Sequence, residues 1–291
     1  MNIVFTIQGN YPSLSTGGPF RIVAQILEEF NKQKINLNPF LSLTNGIHPF
    51  KGRVEELILP SVKKRNLEKK LLEFLLGREV KSKLTFQYKK ILYDTSTKFF
   101  WKRWKRANPD KTIIHSHITF GATPFLQHRD TNRHKVVITF HSKGSLLSDY
   151  SSDWGLKNTL FTSRLRKKEF YEICNADILT FPSLGALNLM KNDYPNFPEH
   201  LQTRIIYNGI DCQIIDGILS DFKKSENKTN YKLINVAQHV WQKRIDLLIH
   251  ALAEIKNDPP IEIYNVGDGP LLEKNIELAK KLSVEKKIHF L

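Results

Sequence analysis

Two turns near the end of the chain carry residue types suited to gripping a diphosphate. One is Val236-Ala237-Gln238-His239-Val240-Trp241-Gln242-Lys243-Arg244; the other is Val266-Gly267-Asp268-Gly269-Pro270. Each follows a β-branched run and precedes an amphipathic one, so each reads as strand, turn, helix. Such a turn aims helix N–H groups, and here the Lys243 ammonium, at one place where an anion fits. A related glycine loop, Gly17-Gly18-Pro19, follows an apolar run at Ile3–Ile7 and opens a helix. Histidines sit at the ends of two further runs, Ile113-Ile114-His115-Ser116-His117 and Val137-Ile138-Thr139-Phe140-His141. Neutral imidazole donates or accepts a proton near pH 7. His115 and His117 lie two apart, so a strand points both to one face. That spacing suits a metal, but no third ligand is evident and none is expected to bind.

The elements that must position these groups are legible as periodicity. Ile3–Ile7, Leu37–Leu43, Thr112–His115, Val136–Phe140, Ile178–Phe181 and Arg204–Tyr207 read as strands with helical patterns between most of them. Phe20, Val23, Leu27 and Phe30 recur at helical spacing behind Pro19, which fits a first helical position. This predicts a doubly wound parallel-sheet α/β domain over 1–207. A turn at Asn208-Gly209-Ile210-Asp211 and a polar stretch at Ser220–Asn230 lead to a second α/β segment, 208–291. There Tyr231–Ala237, Ile261–Val266 and Lys287–Leu291 read as strands. Ile245, Leu248, Ile249, Leu252 and Ile255 mark one buried helix face, and Leu272, Ile276, Ala279 and Leu282 another.

The chain has 291 residues, 41% of them hydrophobic, which excludes wholesale disorder. No apolar run is long enough to span a bilayer, and the start at Met1-Asn2-Ile3 lacks the pattern of a signal peptide. Cys174 and Cys212, in no metal spacing, read as reduced thiols of a cytosolic protein. The net charge is +15, and Val62–Arg106 holds 15 Lys or Arg against 4 Asp or Glu, interleaved with Phe86, Phe99, Phe100, Trp101 and Trp104. This segment reads as a solvated helical face with core aromatics, or as a surface adhering to an anionic membrane. Nucleic acid stands behind both, on charge alone.

Taken in order, these motifs resemble the retaining, nucleotide-sugar-dependent group-1 glycosyltransferases of GT-B fold, built from two facing Rossmann-like domains. The likeness runs from Gly17-Gly18-Pro19 through the two histidine motifs, Ile206-Tyr207-Asn208-Gly209-Ile210-Asp211 and Val236–Leu252 to Val266–Pro270. The resemblance implies transfer of a hexosyl group from a nucleotide sugar to a saccharide or lipid-linked acceptor, with the donor between the domains and the acceptor mainly on the first. It implies that Gly17, Gly18, Gln238, Lys243, Gly267 and Gly269 serve the donor and its phosphates, Lys243 pairing with the diphosphate. It makes His141 the catalytic candidate and His117 and Ser142 acceptor-side candidates. No cofactor is implied beyond the nucleotide-sugar substrate. Gln238 stands where most relatives carry Arg, which grips phosphate with a charged fork, and Arg244 stands where they carry Gly. Relatives continue past Leu291 with two donor-binding glutamates absent here, so the expectation is a partial second domain and little turnover. The alternative is a non-catalytic glycan or lipid binder, or an accessory partner of a complete transferase. A cytoplasmic enzyme, peripheral on the membrane, completes the expectation.

Overall fold

The computed structural model describes residues 1–7, 18–43, 46–50, 78–117, 119–142, 144–147, 160–210, 212–220, 231–255 and 260–291. Gly17, residues 62–77 of the basic segment and residues 221–230 lie outside that set. The chain divides into two compact units, Met1–Ile210 and Asp211–Leu291.

In the first unit the strands are β1 (Asn2–Thr6), β2 (Asn38–Leu43), β3 (Gly46–Pro49), β4 (Thr112–Ser116), β5 (His134–Thr139), β6 (Ile178–Phe181) and β7 (Thr203–Ile205). They form one sheet in the order β3-β2-β1-β4-β5-β6-β7. Every pairing is parallel except β2 with β3. The sequence reading has no counterpart to β3, a four-residue edge strand ending in Pro49, a residue that sheets tolerate at an edge. A parallel sheet is covered on both faces, so its strands are apolar throughout rather than alternating. β1 shows this directly. Val4 packs into one core with Trp101, Ile114, Val136, Ile138 and Leu179, while Ile3 and Phe5 pack into another with Val23, Leu27 and Leu41.

The covering helices are α1 (Pro19–Lys32), α2 (Arg78–Ala107), α3 (Thr123–Leu126), α4 (Leu160–Asn175) and α5 (Leu184–Asp193). Pro19 occupies the first turn of α1, and Val23, Ala24 and Leu27 form its buried face. α2 narrows the reading of the basic segment. Trp101 and Trp104 are buried, with rings stacked 5.6 Å apart, and Trp104 meets Phe40 edge-on at 5.0 Å. These tryptophans therefore belong to the core and are unavailable to a membrane interface. Phe99, on the opposite face, is 61% exposed.

The second unit holds α6 (Cys212–Ser220), β8 (Tyr231–Val236), α7 (Ile245–Glu254), β9 (Ile261–Val266), α8 (Leu272–Lys281) and β10 (Ile288–Phe290). Its sheet is parallel, in the order β10-β9-β8. Ile245, Ile249, Leu252, Ile263, Ala279, Val284 and Ile288 make its core. β8 is an edge strand, and Ile234 and Val236 on it are more than 70% exposed. α8 is rotated from the sequence reading. Asn275, not Ile276, is the buried residue before Ala279, because Asn275 has a polar partner inside.

Candidate active site

Strand order in the first sheet reverses between β1 and β4. Open α/β sheets bind ligands beside the carboxyl ends of strands at such a point. His117 follows β4 there, its backbone N–H donating to the Thr6 carbonyl at the end of β1 (3.1 Å). His141 follows β5. Its Nε2 lies 3.1 Å from Nδ1 of His117, and the two rings stack with centroids 5.3 Å apart. His115 is drawn the other way, Nε2 bonding Thr139 Oγ1 at 2.8 Å, and that hydroxyl bonds Thr180 Oγ1 at 2.6 Å. Phe5 packs against both His115 and His117.

Burial keeps this cluster neutral. It pushes His115 down to about 4, with the nearby His141 adding to the effect. It does the same to His141, and holds His117 well below the ordinary imidazole range, with help from His115 and His141. In a neutral pair one ring donates and the other accepts. Whichever way that bond runs, Nδ1 of half-buried His141 stays available to a ligand hydroxyl. The second nitrogen of His117 is buried with no hydrogen-bond partner.

These shifts set a pH dependence. The unfolded histidines titrate near 6.5, so the folded state binds fewer protons between that pH and about 4. The stabilising effect is complete above pH 6.5 and is lost as pH falls toward 4, at up to about 1.4 kcal/mol per pH unit for each histidine. Glu169, whose carboxyl burial pushes up, opposes the trend at the acid end. The expected NMR result is that the Cε1–H resonances of His117 and His141 do not titrate between pH 8 and 5. A midpoint near 6.5 for either would contradict the buried, neutral pair.

The loops carrying these histidines hang from one helix. On α4, Glu172 accepts from Phe120 N–H (2.7 Å), Thr123 N–H (2.6 Å) and Thr123 Oγ1 (2.5 Å), fixing the loop after β4. One turn earlier Glu169 accepts from Ser145 Oγ (2.5 Å), Leu146 N–H (3.0 Å) and Tyr194 OH (2.5 Å), fixing the loop after β5. Both carboxylates are fully buried. The sequence reading missed them. The signal was present: Leu165, Glu169, Glu172, Ile173 and Ala176 fall on one helical stripe, and all five are buried.

Ser142 does not present a free hydroxyl, because its Oγ donates to the Gly144 carbonyl at 2.5 Å. Gly18 is the residue before α1, at φ 66° and ψ −145°, a conformation that favours glycine. A side chain there would meet nothing within 4 Å.

In the second unit Gln238 and Lys243 share the turn between β8 and α7, and both are exposed. Residues Trp241–Lys243 form a 3₁₀ turn that ends at Arg244 in the left-handed conformation, φ 48°. That conformation favours glycine. The Arg244 guanidinium is held by both Asp246 oxygens at 3.1 Å. Gly267 and Gly269 have a packing role. A Cβ on Gly267 would stand 2.2 Å from the Ala237 carbonyl oxygen, and one on Gly269 would stand 2.7–2.9 Å from the His239 backbone. His239 N–H donates to Asp268 O (2.9 Å) and Leu271 N–H donates to His239 O (3.0 Å), so the second turn splints the first. The buried His239 ring lies 2.6 Å from Asn265 Nδ2 and 2.9 Å from Asn275 Nδ2. One ring nitrogen carries the only proton of a neutral imidazole. Asn265 Oδ1 accepts from Asn235 (2.5 Å), so the Asn265 amide donates to Nε2 of His239.

Among the described residues, no group of three His, Cys, Asp or Glu is placed to hold a metal ion, and no helix is long and apolar enough to cross a membrane. The sequence matches no curated protein. Among solved structures it is similar to the apo form of the lipopolysaccharide outer core galactosyltransferase WaaB, at 14% identity and TM-score 0.58, covering 100% of this chain and 67% of that one. Sucrose-phosphate synthase from Thermosynechococcus elongatus gives 16% identity and TM-score 0.60, covering 100% and 70%. Anabaena HepE in complex with UDP-glucose gives 16% and 0.52, covering 100% and 68%. The chain thus spans about two thirds of the length of these proteins, and the likeness fixes an α/β fold of the GT-B type with Rossmann-like units. Residues 218–291 match the glycosyl transferases group 1 family. Residues 52–214, more than half of the chain and including both histidine-bearing loops, match glycosyltransferase family 4, and it is to that family that this protein belongs.

Proposed function

We propose that the chain serves transfer of a hexosyl group from a nucleotide sugar to a saccharide or lipid-linked acceptor, with retention of anomeric configuration. The observation that carries this reading is the neutral His117–His141 pair at the carboxyl ends of β4 and β5, in a chain of a sugar-transferring family. His141 offers one ring nitrogen to a hydroxyl of the sugar or acceptor. Neutrality suits it to holding that hydroxyl rather than to carrying charge. Lys243, with no ion pair among the described residues, offers its ammonium to the departing diphosphate, where negative charge develops. The departing phosphate takes the acceptor proton on the same face, so positioning supplies much of the rate. No metal is assigned a part.

The UDP-glucose complex of the Anabaena protein makes UDP and UDP-glucose the first ligands to try. In calorimetry on the purified chain, UDP is expected to bind, and Lys243→Ala to weaken it at least about tenfold, the equivalent of one charge-assisted contact. His141→Ala is expected to leave UDP affinity unchanged. Equal UDP affinity in wild type and Lys243→Ala would place the diphosphate elsewhere.

A second reading is favoured by β8, an edge strand among the described residues whose Leu233, Ile234 and Val236 are exposed. In that reading the chain binds glycan or lipid beside a complete transferase, with little turnover of its own. For either role we propose a cytoplasmic, peripheral location on an anionic membrane, supported by exposed Ile91, Leu92 and Phe99 among the exposed Lys98, Lys102, Arg103 and Arg106 of α2. Nucleic acid is not proposed, because nothing beyond net charge supports it.

A further inference from the structure

The first unit contains a cavity of about 550 Å³ walled by α2, α3 and α4, with no strand contributing and neither His117 nor His141 in its lining. Its charge is one-sided. Lys98, Arg164, Lys167 and Lys168 line it, against the single carboxylate of Asp94. Lys168 is paired with Asp94. Lys98, Arg164 and Lys167 make no ion pair among the described residues, so three positive charges face one concave space. A concave wall with one sign of charge concentrates the field and draws in a counter-charge. Arg164 brings a planar fork that matches phosphate oxygens, and the lysines add point charges. The lining hydroxyl of Thr95 and the Tyr171 phenol suit the same oxygens.

The rim points to where such a group comes from. On α2, Ile91 lies one turn before the cavity residues Asp94 and Thr95, and Phe99 follows Lys98. Ile91 is 66% exposed, Leu92 48% and Phe99 61%. A soluble phosphate ester has no use for three exposed apolar side chains beside its site, whereas a headgroup at a bilayer surface brings acyl chains to meet them. We propose that this cavity binds a phosphoryl group, and that its source is the headgroup of an anionic lipid. This deepens the membrane reading above by naming a site, and it does not depend on glycosyl transfer, because its test contains no sugar donor.

The test is co-sedimentation of the full chain with neutral phosphatidylcholine vesicles and with the same vesicles containing phosphatidate. The variants are Arg164→Glu with Lys167→Glu, Phe99→Ser, and a control pair of equal charge change in the second unit, Lys280→Glu with Lys281→Glu. Binding to phosphatidate vesicles is expected to exceed neutral binding, and the cavity pair to lose at least about tenfold of it. The control pair is expected to keep it. Phe99→Ser is expected to weaken vesicle binding while leaving the affinity for pyrophosphate, read by calorimetry in a Lys243→Ala background, unchanged. Equal losses in the cavity and control pairs would reduce the effect to net charge and overturn the site. Pyrophosphate binding at the cavity without any vesicle preference would overturn the lipid source. A circular dichroism melt like that of wild type shows that each variant is folded.

Discussion

Gly267→Ala is expected to be among the most damaging single-methyl changes available in this chain. The new Cβ would stand 2.2 Å from the Ala237 carbonyl oxygen and 2.9 Å from its carbon, both backbone atoms. Neither can rotate away as a side chain does. Overpacking of this kind costs about 1–3 kcal/mol, and holding alanine at φ 144° adds strain of about 1–3 kcal/mol. Small α/β units have little stability in reserve, so the second unit is expected to lose most of its folded population. Gly18→Ala is the matched control. It too sits at positive φ, but its Cβ would meet nothing within 4 Å, so only the dihedral strain of about 1–3 kcal/mol applies. Urea melts followed by hydrogen exchange, over β8, β9 and β10 for Gly267→Ala and over Pro19–Lys32 for Gly18→Ala, measure both. A Gly267→Ala melt within error of Gly18→Ala would mean that the two turns do not pack as described.

That comparison marks how far the sequence could be read. Ile178–Phe181 and Ile261–Val266 were legible to the residue, because buried parallel strands are short, continuous apolar runs between turn signals. β3 was not, because four residues ending in proline leave no period to detect. The glycines of Val266–Pro270 pointed to a phosphate loop, while their geometry gives a requirement for close approach between two turns. A glycine motif cannot separate those causes, since both need a missing Cβ. Arg244 in place of glycine was visible in sequence, but the left-handed turn that explains the usual glycine was not. Polar cores were the least legible. Asn275 and the acids of α4 look like solvent-facing residues until their partners, His239 and the loops after β4 and β5, are brought to them by contacts distant in sequence. The histidine pair lay between these extremes. Strand-end placement flagged His117 and His141 separately, and only the sheet order put them 3.1 Å apart.

Glu172→Ala is expected to cost the first unit about 3–5 kcal/mol, because three donors lose their acceptor at once. Removing the carboxylate takes the acceptor from the N–H groups of Phe120 and Thr123 and from the Thr123 hydroxyl, on two buried residues. Each stranded donor costs about 1–3 kcal/mol, against a total stability of about 5–15 kcal/mol for a whole domain. The shape-preserving Glu172→Gln keeps one carbonyl acceptor but turns the other oxygen into a donor facing a donor, so it is expected to recover only part of the loss. Glu169 supplies an internal check. Burial raises its pKa first, and the neighbouring Glu172 charge adds to the rise. Removing that charge lets Glu169 ionise more readily. In Glu172→Gln the carboxyl of Glu169, followed by carbon-detected NMR, is expected to titrate at lower pH than in wild type. The same variant is expected to broaden the His117 and His141 resonances, because the loop after β4 loses its anchor on α4 while the loop after β5 keeps Glu169. A Glu172→Gln protein that melts with wild type and leaves Glu169 unshifted would show that the two carboxylates do not share one buried stripe, and that some other contact holds the histidines in register.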